Sequence, residues 1–280
     1  MMENQFSFLR HILERKIKIF HCLHDRLAAL KPQVSHELKV KRHQIFIKKF
    51  LLAKLHPDYE VFLIYFRDVG FFNTTPVPLI DAITSYSNVN LRRVDIHEYA
   101  ENTPLESWIE SGALFNSIYV LTHTSDICRI LTLWKYTGTY LDLDVIIRKR
   151  IDSIGNNFAC VQKDALINSA VTNFDSLLGR QVAEKIFEKT ISSFDPTKWV
   201  DNGPGIITKV LNEMCNTKDI QKMNREACKG FWVLPPKQCF EINHQESRMF
   251  FLEEFAKDAM ERTKDSFVLH YWNNLTIWRS

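Results

Sequence analysis

The stretch SDICRILTLWKYTGTYLDLDV, residues 125–145, decides the fold that the sequence predicts. A helix over residues 124–137 is indicated because apolar side chains recur at the spacing of one helical face. These side chains are Ile127, Ile130, Leu131 and Trp134. Ser125 or Thr124 can cap the start of this helix, and Gly138 its end. The β-branched and aromatic residues that follow predict a strand that carries two aspartates.

Strands and helices are also predicted on both sides of this stretch. The predicted strands cover residues 59–66, 89–95 and 266–272, and the predicted helices cover residues 176–192, 204–214 and 246–263. Residues 59–66 form a continuous apolar run, which is typical of a strand buried on both faces. The alternation predicts a single α/β domain.

The pair Asp142 and Asp144 is the sharpest candidate for chemistry. In a strand, alternate residues share a face, so Tyr140, Asp142 and Asp144 are expected to line up on one side. Two carboxylates at the end of a strand make a hard-oxygen site for Mn²⁺ or Mg²⁺. A D-x-D string alone is weak evidence, since the 16 aspartates in 280 residues produce about one by chance.

Composition excludes several classes of protein. The 36 Lys and Arg residues against 33 Asp and Glu residues leave a net charge of +3, so no nucleic-acid partner is expected. Only 8 glycines occur, and no glycine-rich phosphate loop is present. The chain also lacks a run of 18 apolar residues that would span a membrane.

The surroundings of the two aspartates resemble a known motif. Asp126 and Arg129 lie three residues apart on one helical face, and the order S-D-x-x-R, eight residues, G-x-Y-L-D-x-D resembles the donor-binding core of D-x-D glycosyltransferases of family 32. Further stretches that fit are residues 56–66, 103–108, 202–205, 227–230, 234–236 and 270–273. Together they are similar to the animal α-1,4-glycosyltransferases, over about residues 54–280.

The resemblance implies a fold of the GT-A type, which is a Rossmann-like mixed sheet flanked by helices. It also implies transfer with retention of the α configuration of the sugar. Asp142 and Asp144 would hold Mn²⁺ or another divalent cation, and His270 would be a third ligand. The cation would neutralise the UDP leaving group.

The same resemblance implies a set of donor-binding residues. Asp126 and Arg129 would grip the hydroxyl groups of the donor sugar, because a carboxylate accepts and a guanidinium donates hydrogen bonds in fixed geometry. Tyr140, Asp142 and Trp272 complete the expected donor site. The expected catalytic residues are Asp126, Arg129, Asp142 and Asp144.

Each of these assignments has a structural alternative. Asp126 and Arg129 can form an ordinary helical ion pair. His270 and Trp272 can be a satisfied histidine and a packed core aromatic. Residues 202–204, Asn-Gly-Pro, can shape an acceptor loop or cap the helix that follows.

The activity that the resemblance implies is transfer of galactose or an N-acetylhexosamine from a UDP-sugar, in α-1,4 linkage, to a glycosphingolipid such as lactosylceramide. One alternative is an α-1,4-N-acetylglucosaminyltransferase that acts on O-glycans. Another is a catalytically inactive, truncated paralogue that serves as a binding partner.

Domain organisation and location are also implied by the resemblance. Residues 46–280 would form the catalytic domain. Residues 1–45 do not match the family, and residues 1–30 have the pattern of an amphipathic helix rather than a signal peptide. Family members are Golgi membrane proteins with a lumenal catalytic domain, so an anchor is expected that this chain lacks.

Cysteines and sequons complete the expectations. In the family, matching cysteines suggest a disulfide between Cys215 and Cys228, which a secretory lumen would favour. Cys128 lies in the predicted donor helix and is expected to be a buried thiol. Asn73 and Asn274 start N-x-[ST] sequons and are candidate glycosylation sites.

Overall fold

The computed structural model describes residues 18–23, 52–54, 56–66 and 84–272, so the sequons at Asn73 and Asn274 lie outside the described residues. The strands in these ranges are β1 (Lys18–Leu23), β2 (Glu60–Phe66), β3 (Val89–Val94), β4 (Gly138–Leu141), β5 (Val145–Ile147), β6 (Phe158–Val161), β7 (Ile167–Phe174), β8 (Trp232–Leu234) and β9 (Val268–His270). The helices are α1 (Ile96–Ala100), α2 (Glu106–Glu110), α3 (Val120–Tyr136), α4 (Ser176–Ser193), α5 (Pro204–Cys215), α6 (Pro236–Cys239) and α7 (Ala256–Arg262). Within the described ranges, no helix combines the length and the apolar character needed to cross a membrane.

Seven strands form one mixed sheet in the order β3-β2-β1-β4-β7-β6-β8. Strands β1 to β4 run parallel, whereas β7 pairs antiparallel with both β4 and β6. Strands β5 and β9 form a separate antiparallel pair. The chain moves outward from β1 to β3 and then returns to place β4 on the other side of β1. This reversal is the type of position where open α/β sheets bind ligands, beyond the carboxyl ends of the strands.

The sheet is buried on both faces, as the apolar run in β2 predicts. Phe62 and Ile64 pack into the hydrophobic cluster that includes residues of α3, α4 and α5. Their neighbours Val61 and Leu63 point into a second cluster on the opposite face. Because side chains alternate along a strand, one short segment contributes to both layers of the core.

Strand β1 corrects the sequence-based assignment of the N-terminal region. A helix was expected over residues 1–30, but Lys18–Leu23 is a strand that pairs with β2 and β4. Ile19 and Phe20 are fully buried, one on each face of the sheet. Tertiary pairing outweighs the helical charge pattern here. A domain boundary after residue 45 would therefore cut β1 away from the sheet to which it belongs.

The connection between α3 and β4 also differs from the prediction. The helix begins at Val120, earlier than residue 124, and neither Ser125 nor Thr124 caps it. Thr137 is the C-cap residue, with a φ of 53°, and Gly138 is the first residue of β4, with a φ of 121°. Two successive residues with positive φ turn the chain sharply from the helix into the strand.

Two disulfides connect elements within the described part of the chain. The predicted bond between Cys215 and Cys228 is confirmed and joins the end of α5 to the loop before β8. A second bond, between Cys160 and Cys239, joins β6 to α6 and was not predicted. Cys128 is a buried free thiol, as expected.

Replacing Gly138 by alanine is expected to destabilise the fold by about 3 kcal/mol, because a positive φ and a steric clash act together. A Cβ at Gly138 would lie 2.7 Å from the carbonyl oxygen of Lys18 in β1. Urea unfolding measures the change in the free energy of unfolding.

Gly112→Ala is the matched control for this substitution. Gly112 also has a positive φ, of 79°, but a Cβ added at this position would have no described atom within 4 Å. The substitution is expected to cost only about 1 kcal/mol. Equal losses for the two variants would show that the contact between β1 and β4 does not matter for stability.

Candidate active site

The two aspartates lie immediately beyond the carboxyl end of β4, next to the reversal in the sheet. Strand β4 ends at Leu141, and Asp142 to Asp144 form a turn before β5. The amide of Asp142 donates a hydrogen bond to the carbonyl of Ala170 (2.8 Å), and the amide of Val145 donates to the carbonyl of Asp142 (3.1 Å). The expected alternation along one strand face is therefore wrong for this segment, and a tight turn brings the carboxylates together instead.

His270 joins the two aspartates, as the resemblance implied. Val145 in β5 pairs with His270 in β9, and the amide of Tyr271 donates to the carbonyl of Asp144 (2.9 Å). One potential ligand atom from each of Asp142, Asp144 and His270 lies within 4.8 Å of the others. The small β5–β9 sheet thus brings together residues 126 positions apart.

The donor set fits a divalent cation such as Mn²⁺. His270 Nε2 lies 3.0 Å from Asp144 Oδ1, about the separation of neighbouring ligands around an octahedral ion with bonds of ~2.1 Å. His270 Nδ1 is buried and has no hydrogen-bond partner among the described residues. Two carboxylates and one imidazole are ligands that suit Mn²⁺.

Trp272 is buried and packs against the histidine. Its ring centroid lies 4.0 Å from that of His270, and its indole N–H donates to the carbonyl of Ile242 (2.9 Å). Phe240 contacts both rings, with centroid distances of 5.4 Å to His270 and 5.6 Å to Trp272. These contacts fix the orientation of the imidazole. A direct contact between Trp272 and the donor stays a prediction.

Arg129 connects the helix α3 to the aspartate turn. Its guanidinium lies 3.2 Å from Asp126 Oδ1 and 3.5 Å from Asp142 Oδ1, and it donates to the hydroxyl of Ser169 in β7. It also lies over the ring of Tyr140, 4.9 Å from the centroid. The predicted i, i+3 ion pair with Asp126 is present, but it is buried and is part of a larger network. It is therefore not a simple surface pair.

Tyr140 holds the first aspartate of the turn. The buried tyrosine lies on β4, and its hydroxyl donates to Asp142 Oδ1 (2.9 Å). The same oxygen of Asp142 faces Arg129. Two groups therefore orient this carboxylate before any ligand arrives, which is the preorganisation expected of a binding site.

Asp126 is buried between α3 and the start of α5. A Cβ at Gly203 would clash with Asp126 Oδ2, so only glycine allows this carboxylate to approach the beginning of α5. Burial raises the pKa of the Asp126 carboxyl, while the charges of Arg129 and His123 act in the opposite direction. The N-terminal end of α5 favours a negative charge at this position.

The Asn-Gly-Pro segment, residues 202–204, helps to stabilise the contact between Gly203 and the Asp126 carboxylate. Asn202 is buried, and its side-chain amide donates to the carbonyls of Asp195 (2.6 Å) and Lys198 (2.7 Å). Gly203 is the N-cap residue of α5, and Pro204 follows at its first turn. Of the two readings of residues 202–204, helix initiation is thus observed, and an acceptor-loop role stays a prediction.

Three contributors to the site were missed from the sequence: Ser169, Gly203 as the neighbour of Asp126, and His123. A cavity of about 10 Å³ lies among Asp126, Arg129, Ser169 and Gly203, which is about the space of one water molecule. Ser169 carries no motif that would identify it. His123 was detectable only as a residue on the same helical face as Asp126, three positions earlier.

Two family descriptions match consecutive parts of the chain. Residues 41–159 match the glycosyltransferase sugar-binding region containing the DXD motif, and residues 176–279 match the α-1,4-glycosyltransferase conserved region. The first range includes Asp126, Arg129 and both aspartates of the turn, and the second includes His270. Both matched regions make the chain similar to α-1,4-glycosyltransferases that contain a DXD motif.

Curated proteins are similar to this chain over most of its length. The lactosylceramide 4-α-galactosyltransferase of Mus musculus is 26% identical over 227 residues, which are 79% of this chain and 60% of that protein. The α-1,4-N-acetylglucosaminyltransferase of Homo sapiens is 27% identical over 232 residues, which are 80% of this chain and 64% of that protein. The chain thus spans less than two thirds of the length of these relatives.

A solved structure of similar fold is the PaToxG glycosyltransferase. It aligns with a TM-score of 0.53 at 17% sequence identity and covers 95% of each chain. This likeness concerns the fold alone. The chain accordingly has the expected GT-A fold, with a mixed seven-stranded sheet flanked by helices.

As the pH rises above 3.8, the ordinary pKa of Asp, the free energy of unfolding of the wild-type protein is expected to decrease compared with that of Asp126→Asn. The folded pKa of Asp126 is raised, so above pH 3.8 the folded state binds more protons than the unfolded state, and stability decreases with pH. The asparagine variant lacks this titration. Urea unfolding of both proteins, from about pH 4 to about pH 7, measures the divergence. Parallel curves would contradict a raised pKa.

Proposed function

We propose that this chain is a metal-dependent, retaining α-1,4-glycosyltransferase. It transfers galactose or an N-acetylhexosamine from a UDP-sugar to a glycosphingolipid resembling lactosylceramide. The observation that carries the proposal is the convergence of Asp142, Asp144 and His270 at the carboxyl end of β4, with ligand atoms within 4.8 Å of one another. The two curated relatives are almost equally similar, at 26% and 27% identity, so the proposal includes both classes of sugar.

The charge of the site supports a need for a cation. The guanidinium of Arg129 lies near the carboxylates of Asp126 and Asp142, and Asp144 adds a third carboxylate next to Asp142. The diphosphate of a UDP-sugar adds further negative charge. Like charges at such short separation repel, and burial increases the repulsion. A divalent cation, which we take to be Mn²⁺, would allow the diphosphate to approach this group.

Each residue then has a distinct task. Asp142, Asp144 and His270 would hold the cation, which stabilises negative charge on the leaving diphosphate when it is bound. Asp126 would accept hydrogen bonds from hydroxyl groups of the donor sugar, and Arg129 would donate to them. This division places the sugar next to α3 and the diphosphate next to the aspartate turn.

The proposed location is the Golgi membrane, with the catalytic domain in the lumen. The disulfides Cys160–Cys239 and Cys215–Cys228 support a secretory compartment, because such bonds persist under oxidising conditions. The glycolipid acceptor would be met at the same membrane.

An inactive paralogue is the competing hypothesis. It is disfavoured because a protein without turnover would not need these five residues to be assembled together: the buried Asp126, Arg129, Asp144 and His270, and the half-buried Asp142. Hydrolysis and transfer assays with UDP-galactose and UDP-N-acetylhexosamines, with and without Mn²⁺, test the two hypotheses. Absence of Mn²⁺-dependent turnover with every donor would support the paralogue.

Asp144→Asn is expected to reduce transfer by about a hundred-fold or more, because it removes a charged ligand of the cation. Binding of Mn²⁺, measured by calorimetry without any donor, should weaken in parallel. Retention of the wild-type circular dichroism spectrum shows that the fold is intact.

Asp258→Asn is the matched control, since Asp258 is exposed on α7. It should leave both turnover and Mn²⁺ binding unchanged. Full activity of Asp144→Asn in buffer depleted of metal would refute the metal-dependent proposal.

Asp126→Ala should weaken binding of the UDP-sugar by about ten- to a hundred-fold, through loss of hydrogen bonds worth ~1.5–3 kcal/mol. Binding of UDP, which lacks the sugar, should stay nearly unchanged. Calorimetry with both ligands in the presence of Mn²⁺ measures the two affinities. Equal weakening for UDP and the UDP-sugar would mean that Asp126 acts on the nucleotide or the fold.

A further inference from the structure

Two exposed aromatic side chains face each other beside the donor site. Tyr119 is 37% exposed and Trp199 is 46% exposed. Their ring centroids lie 6.4 Å apart, with an angle of 28° between the ring planes. Large apolar groups that stay exposed side by side are typical of a binding surface. We call Tyr119 and Trp199 the aromatic pair.

Tyr119 is held in a defined position relative to Asp126. It is the N-cap residue of α3, and Asp126 lies seven residues later, which is two turns along the same helical face. The separation along the helix axis is therefore about 10 Å. The Tyr119 ring contacts the ring of His123, with a centroid distance of 5.9 Å, and His123 lies between the two.

Trp199 is held to the same part of the site by the turn that precedes α5. His123 Nε2 lies 3.1 Å from the carbonyl oxygen of Lys198, and the side chain of Asn202 donates to the same carbonyl. The amide of Ile118 donates to the carbonyl of Pro196 (3.1 Å). Four residues after Trp199, Gly203 packs against the Asp126 carboxylate. The backbone segments that carry both aromatic rings are therefore held close to Asp126, which is proposed to bind the donor sugar.

From this arrangement we infer that the aromatic pair binds the acceptor saccharide by stacking on a sugar ring. This inference rests on the proposed function. A separation of about 10 Å from Asp126 leaves room for a sugar unit placed next to the transferred one. Rigid aromatic side chains provide a large contact area at a small cost in conformational entropy.

The surroundings of the aromatic pair are mixed, because the apolar side chains of Ile118 and Val200 are exposed as well, and their polar part suits a saccharide. Thr197, Lys198 and Asp201 are exposed on the same turn as Trp199, and they offer donors and acceptors for sugar hydroxyls at the rim of the aromatic surface. A pyranose ring has an apolar face and a polar edge, so it matches both features. A hydrocarbon chain would use only the apolar one.

Trp199→Ala and Tyr119→Ala test the assignment in the full chain. With a soluble lactoside that carries no lipid as acceptor, the KM for the acceptor should rise about ten-fold. Hydrolysis of the UDP-sugar by water, which needs no acceptor, should keep its rate. Trp199→Phe should retain most of the acceptor affinity, because it preserves a flat ring.

Phe255→Ala is the matched control, because Phe255 is exposed to a similar extent, 38%. It should change neither the acceptor KM nor hydrolysis. An unchanged acceptor KM in Trp199→Ala and Tyr119→Ala would overturn the inference. A parallel loss of hydrolysis would also overturn it, since the residues would then support the donor. An effect seen only with glycolipid in vesicles would assign the surface to the membrane instead.

Failure of the proposed function gives a different result. In that case the wild-type chain would neither hydrolyse nor bind UDP-sugars in the presence of Mn²⁺. Binding of the lactoside alone, measured by saturation-transfer NMR on the wild type and on Trp199→Ala, still decides the assignment. Binding that is lost in the variant supports a saccharide site, and no binding by the wild type overturns it.

Discussion

The buried guanidinium of Arg129 is the interaction on which the site depends. It lies within 3.5 Å of carboxylates from two different elements, Asp126 on α3 and Asp142 in the turn after β4. Without the positive charge of Arg129 between them, the carboxylates of Asp126 and Asp142 would repel each other, because they are close together and poorly solvated. Arginine suits this position better than lysine, because its planar group has several donors and stays protonated when buried. One side chain thereby connects the proposed sugar-binding region to the proposed metal-binding region.

The parts of the site that the sequence predicted are those encoded locally. Helical spacing predicted α3, and the resemblance of residues 125–145 to a donor-binding core identified Asp126, Arg129, Asp142 and Asp144 as one group. His270 followed from the family resemblance alone, because no local pattern joins positions 126 residues apart. The structure confirms that Asp142, Asp144 and His270 meet. The predicted geometry was wrong, since the two carboxylates meet in a turn and not on one face of a strand.

The parts that the sequence did not predict depend on long-range pairing. Strand β1 was interpreted as helix because its flanks carry charges at helical intervals, and only pairing with β2 and β4 decides between the two states. The bond between Cys160 and Cys239 spans 79 residues, and connectivity of this kind does not follow from sequence alone. Ser169 reaches Arg129 only because β7 pairs antiparallel with β4.

The short connection between α3 and β4 explains why two chemical tasks can share one segment. Thr137 and Gly138, with φ values of 53° and 121°, reverse the chain within two residues, and a β-branched residue in that region is strained. Gly138 also lies against the backbone of β1, so the sheet holds the connection in place. A longer, looser connection would let Asp126 move relative to Asp142, and Arg129 could not contact both. The backbone strain supports the proposed role of the site, which is to hold the sugar and the diphosphate of one donor at a set distance.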